Sequence, residues 1–170
     1  MRLLVTGASG ALGSYLVPEL VKDGHHVTVL VHRTMPKWVD VAVVHGDVTL
    51  SGFGTEDPLP FIDAIVHCAG VVSFRDRPGL HLNNVVAVEY ATDLSIKLGV
   101  PLFHISTAYV CGDYRAEVWG PNDLSRCQNF RNAYEKSKFT AECIIRSKPE
   151  VQYTIIRPSI LVGDSKVGGI

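Results

Sequence analysis

Tyr134 and Lys138 stand four residues apart in Tyr134-Glu135-Lys136-Ser137-Lys138, so on a helix they share one face. A free tyrosine phenol titrates near ~10 and is a poor acid or base at neutral pH. A neighbouring ammonium favours the phenolate and draws that value down, and it can also hold a sugar hydroxyl. Tyr-x-x-x-Lys by itself is common on amphipathic surface helices, and its weight here comes from what lies upstream. Ser106-Thr107 closes the apolar run Phe103-His104-Ile105 and precedes Ala108-Tyr109-Val110-Cys111-Gly112. In an α/β sheet, ligands lie outside the carboxyl ends of the strands, so a hydroxyl at Thr107 meets a substrate oxygen beside Tyr134.

A third segment completes the set. Thr6-Gly7-Ala8-Ser9-Gly10-Ala11-Leu12-Gly13 falls between the first apolar run and the first amphipathic stretch. Gly7, Gly10 and Gly13 allow a tight turn and a close approach to a pyrophosphate. The backbone from Ser9 through Ala11 and Leu12 then presents a helix N-terminus to the anion. The spacing Gly-x-x-Gly-x-x-Gly differs from the commoner Gly-x-Gly-x-x-Gly. Cradle, hydroxyl and acid–base pair follow one another in the order that hydride transfer with a nicotinamide dinucleotide needs.

The second strand ends in Leu30-Val31-His32-Arg33, with no acid to take a ribose 2′-hydroxyl. A cation there suits a 2′-phosphate, so NADP(H) is the expected cofactor, with NAD(H) left open. The competing reading makes Arg33 a solvated loop residue. Asp47, in Gly46-Asp47-Val48, is placed to accept from an adenine amino group.

Apolar runs alternating with amphipathic stretches give the βαβ rhythm of a Rossmann fold: a doubly wound parallel sheet in three αβα layers. Strands are expected at Arg2 to Thr6, Val27 to Val31, Val41 to Val44, Ala64 to His67, Leu102 to Ser106 and Gln152 to Arg157. Helices are expected from Ala11 to Asp23, from Leu80 to Leu98 and from Asn132 to Ser147. Pro18 should remove a hydrogen bond from the first helix or kink it. Cys111 to Asn129 reads as a long functional loop, with Trp119 and Phe130 as candidate pocket aromatics. His25-His26 reads as a solvated turn.

With 170 residues, 46% of them hydrophobic, the chain is expected to form one domain. A net charge of -1 gives no footprint for nucleic acid. No apolar run approaches the ~20 residues of a membrane helix, and the N-terminus is too short before Gly7 for a signal peptide, so a cytoplasmic protein is expected. Cys68, Cys111, Cys127 and Cys143 form no Cys-x-x-Cys pair, and none of the seven histidines falls in a metal motif, so no metal site is expected. The tail from Gly163 to Ile170 looks cut rather than capped. That suggests the N-terminal part of a longer protein whose substrate-binding portion follows.

These segments resemble the extended short-chain dehydrogenase/reductases over essentially the whole chain. The resemblance implies that Thr6 to Gly13 bind pyrophosphate, that Asp47 and Val48 contact adenine, and that His67, Cys68, Ala69 and Gly70 line the cofactor cleft. It makes Thr107 and Tyr134 catalytic with Lys138 as partner, puts Ser106 beside the cofactor, and sets Pro158 of Arg157-Pro158 against the nicotinamide. Asn84, in Asn83-Asn84-Val85, matches the family's Asn-Val helix segment. Cys111 replaces the usual aromatic, and Val86-Ala87-Val88 replaces a Gly-Thr pair. The runs around Thr107, Tyr134 and Arg157-Pro158-Ser159-Ile160-Leu161-Val162-Gly163-Asp164-Ser165 are similar to the male-sterility branch, which includes fatty-acyl reductases and thioester reductase domains. That branch implies NADPH and an acyl thioester on CoA or an acyl carrier protein, reduced through a hemithioacetal to an aldehyde. Pairing of family members through the helices carrying Asn84 and Tyr134 implies a homodimer. A ketone or hydroxysteroid-type reductase, a nucleotide-sugar epimerase or dehydratase, and a cofactor-binding module without catalysis are the other readings.

Overall fold

Residues 1–36, 41–75, 77–115 and 119–163 are described by a computed structural model. Among these described residues, six short strands form one parallel sheet: β1 Arg2–Thr6, β2 His26–Val31, β3 Ala42–His45, β4 Ala64–His67, β5 Leu102–Ile105 and β6 Tyr153–Ile156. Their order is β3-β2-β1-β4-β5-β6. The direction of winding reverses between β1 and β4, where Val5 pairs with Val29 on one side and with Val66 on the other. A crevice opens at such a reversal, outside the carboxyl ends of the strands.

Side-chain alternation along the strands builds two cores. Leu3, Val5, Val27, Val29 and Val66 pack toward Val17 of α1, Gly13–Lys22. Leu4, Ile65 and Leu102 pack the other way, against α2, Ala87–Leu98, and α3, Ala133–Ser147. Phe53 joins this second core from a short 3-10 turn, Ser51–Gly54. The sheet is therefore covered on both faces, as the near-continuous apolar strands require.

Each helix begins or ends for a local reason. α1 starts at Leu12, whose side chain caps nothing, runs through Pro18, and gives way at Gly24, φ 82°. His26 belongs to β2, so only His25 lies in the turn. α2 stops at Gly99, φ 64°, where the N–H groups of Gly99 and Val100 bond back to Ile96 and Ser95. α3 opens on Asn132, whose Oδ1 accepts from the Glu135 N–H at 2.9 Å, while the Glu135 carboxylate accepts from the Arg131 N–H at 3.0 Å. The helix expected from Leu80 to Leu98 is divided: a π-turn, Leu82–Val86, precedes α2. Its cause is tertiary, because buried Asn84 bonds across to the Val71 backbone and to Ser137 of α3. The tail from Asp164 to Ile170 lies outside the described residues.

Candidate active site

Gly7 and Gly13 are glycines because nothing else fits. Gly7 has φ 71°, and a Cβ there would come within 2.6 Å of the Ala69 nitrogen. A Cβ on Gly13 would lie 2.2 Å from the Gly7 carbonyl oxygen, so α1 rests directly on the turn. Gly10 closes that turn by donating its N–H to the Gly7 carbonyl at 3.0 Å. No side chain caps the start of α1, where the Ser14 and Tyr15 N–H groups bond to the Gly10 and Leu12 carbonyls, and the positive end of the helix faces the turn as it would face an anion.

This turn forms one wall of a cleft of about 470 Å³ at the reversal point, with Ala11 and Leu12 lining it beside Gly7, Gly10 and Gly13. Cys68, Ala69 and Gly70 line it after β4, and Asn84 from the π-turn. Ser106, Thr107, Tyr134, Lys138 and Pro158 complete the opposite wall. Ser9 is exposed at the tip of the turn and is not in the lining. His32, Arg33, Asp47 and Val48 are likewise outside it, past the ends of β2 and β3. There Asp47 Oδ1 accepts from the Thr49 N–H at 2.8 Å and the Thr49 hydroxyl at 2.7 Å, and Oδ2 lies 3.4 Å from His32 Nε2. Burial pushes the Asp47 carboxyl up, but the Thr49 hydrogen bonds, with His32 and Arg33, bring it below its ordinary value. Val48 packs on the core.

Tyr134 and Thr107 meet on that opposite wall. The Thr107 oxygen accepts from the Tyr109 N–H at 3.3 Å, capping the 3-10 turn Ala108–Cys111, and its hydroxyl bears on the Tyr134 phenol. The expected lowering of the phenol by Lys138 is not what the structure gives. Burial pushes Tyr134 up, Thr107 pulls it down and Tyr109 adds to the rise, leaving it above its ordinary value. Lys138 is turned inward instead. Its Nζ donates to the Ile105 carbonyl at 2.6 Å and approaches His104 Nε2 at 3.3 Å. Burial draws the ammonium down to about 8 against the opposing pull of Glu142 and Cys68. Cys68 is pushed up to about 12 by burial, which makes it an inert wall.

Several further residues border the cleft, of which Val71, Val72 and Phe74 carried no sequence signal of function. Val71, Val72, Phe74, Tyr109, Ile160 and Leu161 line it. Phe74 stands edge-on to both Tyr134 (5.9 Å) and Tyr109 (6.3 Å). Beneath the floor, Glu142 is fully buried and accepts from the Ser106 hydroxyl at 2.6 Å and from Arg157 Nε and Nη2 at 2.9 and 2.6 Å. Ser106 and Arg157 stood out in the sequence through the resemblance, and Glu142 left no trace there.

The long loop does not wall this cleft. None of the described residues from Gly112 to Arg131 lines it. Trp119 packs edge-on to Tyr114 at 5.3 Å, and Phe130 packs against Phe139 at 5.0 Å. Arg157 holds the loop through the Gly120 and Asp123 carbonyls. The loop's neck is tied by Asp113 and Asn129, each donating its N–H to the other residue, to the carbonyl at 3.0 Å and the carboxylate at 2.8 Å. Gly112 there has φ 57°, and a Cβ would fall 2.1 Å from the Asn129 carbonyl oxygen. Among the described residues no cluster of three or more His, Cys, Asp or Glu could hold a metal ion. No helix among them is long and apolar enough to cross a membrane.

Comparison with known proteins agrees with this architecture. A hybrid PKS-NRPS synthetase of Acremonium sp is 29% identical over 95% of this chain, which spans 4% of that protein. The dTDP-6-deoxy-L-talose 4-dehydrogenase (NAD(+)) of Aggregatibacter actinomycetemcomitans is 28% identical over 98% of this chain and 63% of its own length. In fold, a thiolation-reductase di-domain from an archaeal non-ribosomal peptide synthetase superposes with a TM-score of 0.78 at 18% identity, covering 93% of this chain and 51% of that one. The model of the NAD dependent epimerase/dehydratase family matches residues 3–169, and with the glycine turn and the Tyr134/Lys138 helix in place the chain belongs to that family, whose members are extended short-chain dehydrogenase/reductases.

Proposed function

We propose that this chain binds NADP(H) in the cleft and reduces a carbonyl there, with an acyl thioester on CoA or a carrier protein as the substrate class. The observation that carries the reading is the meeting of the glycine turn with Thr107, Tyr134 and Lys138 on one cleft. The residues fit a dinucleotide. The turn brings bare backbone to the surface where a Cβ has no room, and no side chain competes for the N-terminus of α1. Bound there, the nicotinamide supplies a hydride to the carbonyl carbon. Thr107 and Tyr134 hydrogen-bond the carbonyl oxygen as its negative charge develops. Tyr134, held protonated by its burial, then donates its proton to that oxygen. Lys138 holds the ribose hydroxyl from the cleft wall.

His32 and Arg33, standing where an acid would select NAD(H), support the 2′-phosphate. The thioester draws support from the likeness to the hybrid synthetase and, in fold, to the di-domain whose name pairs thiolation with reduction. The dehydrogenase of a dTDP-sugar favours a second reading, redox chemistry on a nucleotide sugar with NAD(H). The four cysteines are free, which suits a reducing cytoplasmic setting.

Calorimetric titration separates the readings. NADPH binding at least about tenfold (~1.4 kcal/mol) tighter than NADH supports the first, and the reverse order supports the second. Binding of neither overturns both. With an acyl-CoA series as substrate, Tyr134→Phe should lower kcat by at least ~10²-fold and leave cofactor affinity unchanged. Turnover near the parent's in that variant would remove Tyr134 from the mechanism.

A further inference from the structure

His104 is fully buried on β5 and plays no part in the chemistry set out above. Its ring stacks on His67 at 5.7 Å, and His67 stacks on Phe53 at 6.3 Å. Thr6 Oγ1, 3.0 Å from His67 Nδ1, fixes the second ring in turn. Burial drives His104 well below its ordinary value, with Lys138 and His67 pushing the same way, so the imidazole is neutral. A neutral ring has one acceptor nitrogen, and Lys138 as donor assigns that role to Nε2. The proton then sits on Nδ1, which is buried without a partner. An apolar side chain would fill this space and leave nothing unpaired. The cost of a polar ring here needs a compensating contact, and Lys138 is the contact the structure offers.

We propose that His104 is a positioning residue for Lys138, its Nε2 and the Ile105 carbonyl taking two of the three ammonium donors so that the third is aimed into the cleft at the nicotinamide ribose. The inference rests on the cofactor reading above. An ammonium on a four-carbon stem turns freely, and three donors around one nitrogen are set in direction once two are fixed. The groups facing this ammonium are Glu142 from its own helix, Cys68 and His67 from the end of β4, and His104 from β5. His104 is the neutral acceptor among those within hydrogen-bond reach, beside the Ile105 carbonyl.

The test titrates the full chain with NADPH and, separately, with 2′,5′-ADP, which carries the adenosine end without the nicotinamide ribose. NADH and ADP replace them if NADH proves the tighter ligand. His104→Phe and His104→Asn should weaken NADPH about tenfold. The Asn amide reaches only as far as the ring's Nδ1. His104→Gln puts an amide where Nε2 was and should return affinity to within about twofold of the parent. All three should bind 2′,5′-ADP as the parent does. The pH above which NADPH affinity falls should also move down in His104→Phe and His104→Asn, because the charged ammonium has lost an acceptor. Parent-like NADPH affinity in folded His104→Phe overturns the proposal, as does equal weakening by Asn and Gln or a parallel loss of 2′,5′-ADP. Should His104→Phe fail to fold, the contrast between Asn and Gln decides. A parent chain that binds no dinucleotide at all overturns the cofactor reading, and this inference with it.

Discussion

Lys138 sets how the site responds to pH. Its ammonium is drawn down to about 8 by burial. On the proposed cofactor reading, Lys138 would offer a ribose hydroxyl a charge-assisted hydrogen bond below that value, and above it the weaker one of a neutral amine. NADPH affinity followed by fluorescence should therefore fall several-fold between about pH 7 and pH 9.5. In Lys138→Met the affinity should be weak and flat across that range, and a slope that survives there would place the titration elsewhere. The i, i+4 spacing revealed that Tyr134 and Lys138 share a face. It did not reveal the direction of the Tyr134 shift, because the ammonium bonds to the Ile105 carbonyl, a contact that exists only once α3 has packed on β5. The upward shift leaves the phenol protonated at neutral pH, the state that a reduction requires of its proton donor.

α3 carries both residues, and its first turn is the element on which their placement depends. Tyr134 lies two residues past the Asn132 cap. Asn132→Ala should cost about 1 kcal/mol, read as a fall in Tm of roughly 2–4 °C for a chain of this size. Because fraying begins beside Tyr134, kcat should fall with it while cofactor affinity holds. A Tm equal to the parent's would show that Glu135 holds the turn alone. The boundaries of α3 were readable within a residue, and Gly99 marked the end of α2 though not its start. The π-turn at Leu82–Val86 was not readable, since its apolar spacing continues that of α2 and its cause, Asn84, acts on a loop thirteen residues away and on another helix. The short strands emerged from their β-branched runs with end errors of a residue or so, because strand ends are set by pairing partners, such as His45 opposite Val31, rather than by local composition.

Across the whole molecule, one buried carboxylate joins parts that are far apart in the chain. Glu142 links Ser106 at the end of β5 to Arg157 at the end of β6, and Arg157 reaches on to the Gly120 and Asp123 carbonyls of the long loop. Arg157→Met leaves that carboxylate buried without its bidentate partner and should cost ~3–5 kcal/mol in a urea melt. Replacing Glu142 by Leu in the same chain should recover a good part of it. If the double variant is no better than the single one, the loop carbonyls rather than the ion pair carry the stability. The βαβ rhythm made the parallel sheet and its ligand-binding end legible, but a network of side chains at positions 106, 142 and 157 has no periodicity to betray it. The tied neck at Asp113 and Asn129 has an evolutionary consequence. Both ends of the loop are fixed by the neck itself, and lengthening a closed loop is cheap, about 0.6 kcal/mol for each doubling. Selection is thus free to lengthen, shorten or rewrite the residues between the neck positions, as long as two carbonyls still meet Arg157, and so graft new recognition surfaces there, while the cleft wall stays as it is.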